Sequence, residues 1–94
     1  MKLFWTRLAI ADLNRAYEFI AEENPSAAAR VIDRIEQALA ALRTHPLIGR
    51  PGRVEGTRAF VISGTPLIVP YRIKEKRIEI LGATFPPKTG PFES

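Results

Sequence analysis

Across the segment Gly49–Arg58 the spacing of apolar side chains changes from three and four to two, and this limits the folds open to the chain. Before it, Ala9, Leu13, Ala16, Tyr17 and Ile20, then Ala28, Val31, Ile32, Ile35, Leu39 and Leu42, fall on helical stripes. After it, Leu67, Val69, Tyr71 and Ile73 alternate, as do Ile78 and Ile80, placing each set on one face of a strand. A striped helix pair and a one-faced sheet each need a cover, and each can supply it to the other. The expected class is therefore α+β, with a helical hairpin packed on an antiparallel sheet.

Local signals divide the chain further. Lys2–Trp5 predicts an opening strand. Thr6 predicts an N-cap, because its hydroxyl can accept from first-turn amides, and a helix of four to five turns follows. Asn24-Pro25 predicts its end, since the residue before proline is pushed out of the helical region and proline suits the next first turn. The second helix is expected from about Pro25 to Arg43, with Ala27-Ala28-Ala29 allowing close approach. Thr44–Gly56 reads as a loop, and Arg58–Ser63, Leu67–Lys74 and Arg77–Ala83 as a three-stranded meander. Gly64-Thr65-Pro66 and Lys74–Arg77 supply its turns. Pro70 cannot donate to a ladder, so a bulge or an unpaired amide is expected there. One domain is expected over residues 1–94, with 82–94 as an atypical, extended tail.

Composition removes several classes of chemistry. There is no cysteine, so no disulfide framework or thiolate metal site is expected, and one histidine is too few for a zinc centre. No cofactor motif is present. Only Leu3-Phe4-Trp5 lies between Lys2 and Thr6, which does not suit a signal peptide, and no run spans a bilayer. A cytoplasmic location and no membrane partner are expected. His45, just past the second helix, reads as a helix-end side chain. Asp12 with Arg15 reads as a solvated helix face, and Glu22 and Glu23 are adjacent and so do not face each other. No catalytic residue emerges.

Charge is more informative. Residues 7–36 carry four basic and six acidic side chains, whereas 43–77 carry eight basic and two acidic. The basic set contains Arg50, Arg53, Arg58, Arg72, Lys74, Lys76 and Arg77. Two readings stand side by side: a solvated sheet edge with arginines bracing the loop, or a surface for an acidic partner, since arginine forks match carboxylates and phosphates. On the second, Arg50, Arg53, Arg58 and Arg72 are the candidate partner- or target-binding residues. Aromatic side chains able to stack on bases are scarce there, with Phe60 and Tyr71 expected in the core, which disfavours direct single-stranded RNA binding.

Several motifs, taken in order, resemble the ParE branch of the RelE/ParE superfamily, the toxin half of bacterial toxin–antitoxin pairs. They are Ala11-Asp12-Leu13, Tyr17, Ile20-Ala21, Asn24-Pro25, Ala28-Ala29, Leu42 with Pro46, and Gly49-Arg50-Pro51-Gly52-Arg53. Gly56-Thr57-Arg58, Ile68-Val69-Pro70-Tyr71-Arg72 and Ile78-Glu79-Ile80-Leu81 complete a resemblance over about residues 3–81. It implies a strand, helical hairpin and antiparallel sheet, a ParD-like antitoxin whose C-terminal segment wraps the groove, and DNA gyrase as target. No sequence-specific DNA binding by this chain is implied.

The RelE branch implies the alternative, a ribosome-dependent mRNA endonuclease, and Arg58 and Arg72 stand where its RNA-holding basic residues are found. That branch commonly uses a C-terminal tyrosine or histidine, and none follows Tyr71, so RNase activity is not expected. One departure from the ParE pattern stands out. Gly82 and Phe85 occupy the places where arginine and histidine are usual. A glycine inside the last strand is expected to weaken it, and an attenuated toxin that keeps only antitoxin binding is the third reading. On that reading Gly82→Arg strengthens toxicity.

Overall fold

The structure, a computed structural model, describes residues 1–65 and 67–84. The tail expected from Phe85 onward lies outside the described residues. In chain order the elements are β1 (Lys2–Trp5), α1 (Arg7–Glu23), α2 (Pro25–Thr44), β2 (Arg50–Pro51), β3 (Arg58–Val61), β4 (Ile68–Lys74) and β5 (Arg77–Ile80).

Caps set the helices. Thr6 Oγ1 accepts from the Ala9 amide at 3.1 Å and donates to the Ile80 carbonyl at 2.9 Å, so one hydroxyl starts α1 and ties it to β5. Asn24 closes α1 through its own amide, which reaches the Ile20 carbonyl at 2.8 Å. Its side chain opens α2 by accepting from the Ala27 amide at 3.1 Å, with Pro25 at the first helical position. A single residue thus makes the hairpin. His45 ends α2 through its backbone amide on Ala41, and its ring makes no hydrogen bond among the described residues.

The sheet runs β1-β5-β4-β3-β2. The expected meander is its centre, with β3, β4 and β5 antiparallel in continuous register. Two additions flank it. β1 lies parallel to β5, Lys2 beside Arg77 and Trp5 beside Ile80, and β2 pairs with β3 inside what reads in sequence as plain loop. The Lys74–Arg77 turn places Glu75 at φ 52° and Lys76 at φ 61°, a left-handed pair that suits the twist of a two-residue hairpin.

Two strands stop short of expectation. β3 ends at Val61, where the chain turns through Gly64 at φ 81°. β5 ends at Ile80, and the cause is Pro70. Its carbonyl accepts from the Leu81 amide at 2.8 Å, but it has no amide to return. Ile68 and Thr84 then exchange bonds of 2.7 and 2.9 Å, leaving Val69 opposite both Gly82 and Ala83. The irregularity expected at Pro70 is therefore a two-against-one bulge on the facing segment, while β4 stays regular. Gly82 accordingly lies beyond β5, in the bulge, and not in a strand interior.

Both helices pack on one face of the sheet. Ala9 and Ala16 of α1 and Val31, Ile35 and Leu42 of α2 form one cluster with Val69, Tyr71, Ile78 and Ile80. These side chains are all buried, and Ala9, Leu42, Tyr71, Ile78 and Ile80 wholly so; Leu67 joins them.

Candidate functional site

Strand alternation assigns the other sheet face by register. Phe4 lies beside Glu79, Glu79 beside Arg72, Lys74 beside Arg77, Pro70 beside Ala59 and Ala59 beside Arg50. No helix among the described residues packs on this side. Part of it forms a groove of about 630 Å³ lined by Arg53, Val54, Ala59, Ile68, Pro70 and Leu81, with Pro51, Gly52, Thr57, Arg58 and Thr84 completing the wall. Its apolar floor and basic rim suit an apolar segment that carries carboxylates.

The four arginines singled out from sequence differ in what they can do. Arg50 and Arg53 are exposed and have no hydrogen-bond or ion-pair partner among the described residues. Arg58 is half-buried, and its Nη1 donates to the Gly49 carbonyl at 2.9 Å and the Leu47 carbonyl at 3.3 Å, bracing the loop that carries the other two. Arg72 is exposed on the open face, where its Nε donates to Glu79 Oε1 at 2.6 Å. The structure brings Arg53 and Arg58 to the groove wall and sets Arg72 two residues along β4 from Pro70 on its floor.

Tyr71 completes the brace. Its hydroxyl accepts from the Gly49 amide at 2.9 Å and donates to the Pro46 carbonyl at 2.8 Å. A Cβ at position 49 would lie 2.7 Å from Tyr71 Cε1 and hydroxyl and 3.0 Å from the Ala59 carbonyl, so only glycine lets the chain pass this close. The loop is pinned from below by a phenol and from the side by a guanidinium. Its apolar residues Leu47, Ile48 and Val54 nonetheless remain exposed.

Three residues have roles that the sequence alone does not show. Glu79 holds two arginines, accepting from Arg72 and, at 3.3 Å, from Arg77. The hydrogen bond from Arg72 and the nearby cations outweigh desolvation and hold its carboxyl below the ordinary carboxylate range. It is therefore charged at neutral pH, and the pairing is lost only as pH falls through that lowered value. Arg77 in turn lies over the Phe4 ring, 4.6 Å from its centroid.

Asp12 is the third. It pairs with Arg15 at 2.6 Å, but Arg15 is 70 % exposed and such an i,i+3 pair is worth only about 0.3–0.5 kcal/mol. Its other oxygen accepts from the Ala83 amide at 3.2 Å, joining α1 to the bulge. A Cβ at Gly82 would meet that oxygen at 2.9 Å. Gly82→Arg is thus expected to displace the Asp12 carboxylate and orphan the Ala83 amide, costing about 1–3 kcal/mol in urea unfolding. Asp12→Ala should cost a similar amount, and the double variant little more than either single one. Fully additive effects, or an unchanged midpoint for Gly82→Arg, would rule out this coupling.

A second hollow, about 490 Å³, runs along α1 with Asp12, Arg15, Ala16, Glu18, Phe19, Glu22 and Ala83 on its walls. Its charge is net acidic, opposite in sign to the groove.

Residues 3–82 match the family model described as ParE toxin of type II toxin-antitoxin system, parDE. The chain belongs to the ParE toxin family. The match runs from β1 into the bulge and takes in all the groove lining except Thr84. A relative from Sinorhizobium fredii, named "Putative toxin Y4kP", is 42% identical over 80 residues, covering 85% of this chain and 82% of that one. A solved chromosomal ParDE TA system from P. aeruginosa shares 32% identity at a TM-score of 0.80, covering 90% of this chain and 95% of the other. The toxin–antitoxin complex RelBE2 from Mycobacterium tuberculosis aligns at a TM-score of 0.62, over 90% of this chain and 96% of that one. At 24% identity this second structure bears on fold alone. The expected RelE/ParE architecture is thus present. No described helix of this ParE-family chain is long and apolar enough to cross a membrane.

Proposed function

We propose that this ParE-family chain is neutralised by a ParD-like antitoxin, which lays an acidic, partly apolar segment along the open sheet face, and that it acts by binding DNA gyrase. The observation that carries the partner reading is the groove itself. Ile68, Pro70 and Leu81 offer apolar contact, while Arg50, Arg53 and Arg72 stand around it as donors. Charge opposition of this kind steers an acidic segment and fixes its register. The ParDE system from P. aeruginosa, similar along nearly its whole length, supports the same pairing. Gyrase as the target rests on likeness to the ParE branch.

Binding is favoured over RNA cleavage by the chemistry of the lining. The described groove lining contains no histidine, tyrosine or carboxylate, and Tyr71 is buried on the opposite face. The deciding experiment adds the purified chain to a gyrase supercoiling assay and, separately, to translating ribosomes. Loss of supercoiling with intact mRNA is expected. Codon-positioned cleavage would instead establish the RelE-like activity, and no effect in either assay with antitoxin binding preserved would establish an attenuated toxin.

A further inference from the structure

The open sheet face is basic enough to attract nucleic acid, yet toward β1 and β5 two of its arginines and an aromatic ring are engaged with one another. Guanidinium groups bind phosphates when their donors are free, and bases stack on open aromatic faces. Here Glu79 accepts from Arg72 Nε at 2.6 Å with one oxygen and from Arg77 at 3.3 Å with the other. Phe4, on this face, carries Arg77 over its ring at 4.6 Å, although the side chain remains partly exposed. Arg77 Nε is buried and has no acceptor of its own among the described residues, so Glu79 and Phe4 alone place this guanidinium. Lys74 and Lys2 flank Arg77 in register, and by that register Glu79 is the acid set among them.

We propose that Glu79 is the selectivity residue of this face: it withholds Arg72 and Arg77 from polyphosphate and fixes the Arg72 fork beside the groove for a peptide carboxylate. The second half rests on the partner reading above; the first stands without it. The physical basis is valence. A carboxylate-bearing segment needs one or two oriented donors, whereas a nucleic acid strand gains affinity from every phosphate neutralised, with a salt slope of about 0.7 per contact for single strands. Taking two arginines out of that count penalises the strand far more than the peptide.

The test uses the full chain, Glu79→Gln, and the double variant Glu79→Gln with Arg72→Ala, each checked for an unchanged circular dichroism spectrum. Probes are a fluorescent oligouridylate and a synthetic helical peptide of glutamate and leucine, titrated over a range of salt. Glu79→Gln should bind oligouridylate about tenfold more tightly at low salt, its salt slope rising by about 1.4 for two released arginines. Peptide binding should weaken severalfold, as the fork loses its anchor. The double variant should keep only the part of the gain that Arg77 supplies, a slope rise of about 0.7. Equal oligouridylate affinity and slope for Glu79→Gln and the original chain would overturn the proposal, as would a gain left undiminished by Arg72→Ala. Failure of the peptide to bind any version would count against the partner reading and leave the oligouridylate result to decide the withholding role alone.

Discussion

Tyr71→Ala is expected to leave no stable folded chain at physiological temperature, whereas Tyr71→Phe is expected to leave a folded chain with a loosened loop. The ring is wholly buried between sheet and helices, and truncating an aromatic side chain there costs about 3–5 kcal/mol. The alanine variant also strands the Gly49 amide and the Pro46 carbonyl, at about 1–3 kcal/mol for each buried orphan. A domain of this length has roughly 5–14 kcal/mol in total. Phenylalanine keeps the packing and loses only the hydroxyl, so a loss of about 1–3 kcal/mol is expected in urea unfolding. Hydrogen exchange at the Gly49 amide separates this from a simple packing change. Exchange should accelerate well beyond the global loss, because the amide has lost its acceptor while the core remains. An unchanged Gly49 exchange rate in Tyr71→Phe would mean that the phenol does not hold the loop.

The second large effect is on binding. Arg50→Glu combined with Arg53→Glu is expected to weaken the antitoxin by roughly 10²–10⁴-fold, since truncating one partner of an interface charge pair costs about 2–5 kcal/mol and reversal adds repulsion. Stability should barely change, because both side chains are exposed and neither has a partner within the described fold. Calorimetric titration against the proposed ParD-like antitoxin gives the affinity, and circular dichroism the fold. Arg58→Ala provides the contrast, as removing its bonds to Leu47 and Gly49 should lower stability and affinity together. Antitoxin binding untouched by the double reversal would move the partner off this loop and onto another surface.

Sequence and structure agree most closely where the interaction is local. Thr6 and Asn24 act within a turn of their own position, so their roles as caps are visible as soon as the helical stripe is seen. Alternation likewise names the buried face of β4, with Val69 and Tyr71 inward and Arg72 and Lys74 outward. What alternation cannot name is a neighbour. That β1 would seek β5 in parallel, or that Arg50–Pro51 would form an edge strand, depends on how the whole sheet closes. Pro70 shows the limit most clearly: the missing amide was legible, but its effect falls on Gly82 and Ala83 across the ladder.

The site follows the same division. Residue type and loop chemistry are enough to pick out Arg50, Arg53, Arg58 and Arg72, but not to separate a bracing arginine from a free one. Asp12 looks like a solvated partner of Arg15 until the bulge is seen to bring Ala83 within reach. Glu79 draws no notice in a strand pattern, because its importance comes from the two guanidinium groups that converge on it.

The pairing of β1 with β5 also sets an order in time. During synthesis β1 has no neighbour to bond until β5 has emerged, so the sheet cannot close until all the elements between them exist. The helical hairpin, whose contacts are close in sequence, can form much earlier. The groove depends on the same late event, since Leu81 and Thr84 supply one of its sides and their ladder with Ile68 and Pro70 completes the floor. A chain that ends before β5 therefore presents helices but not the groove. On the partner reading, recognition by an antitoxin waits until the segment through Thr84 has been made.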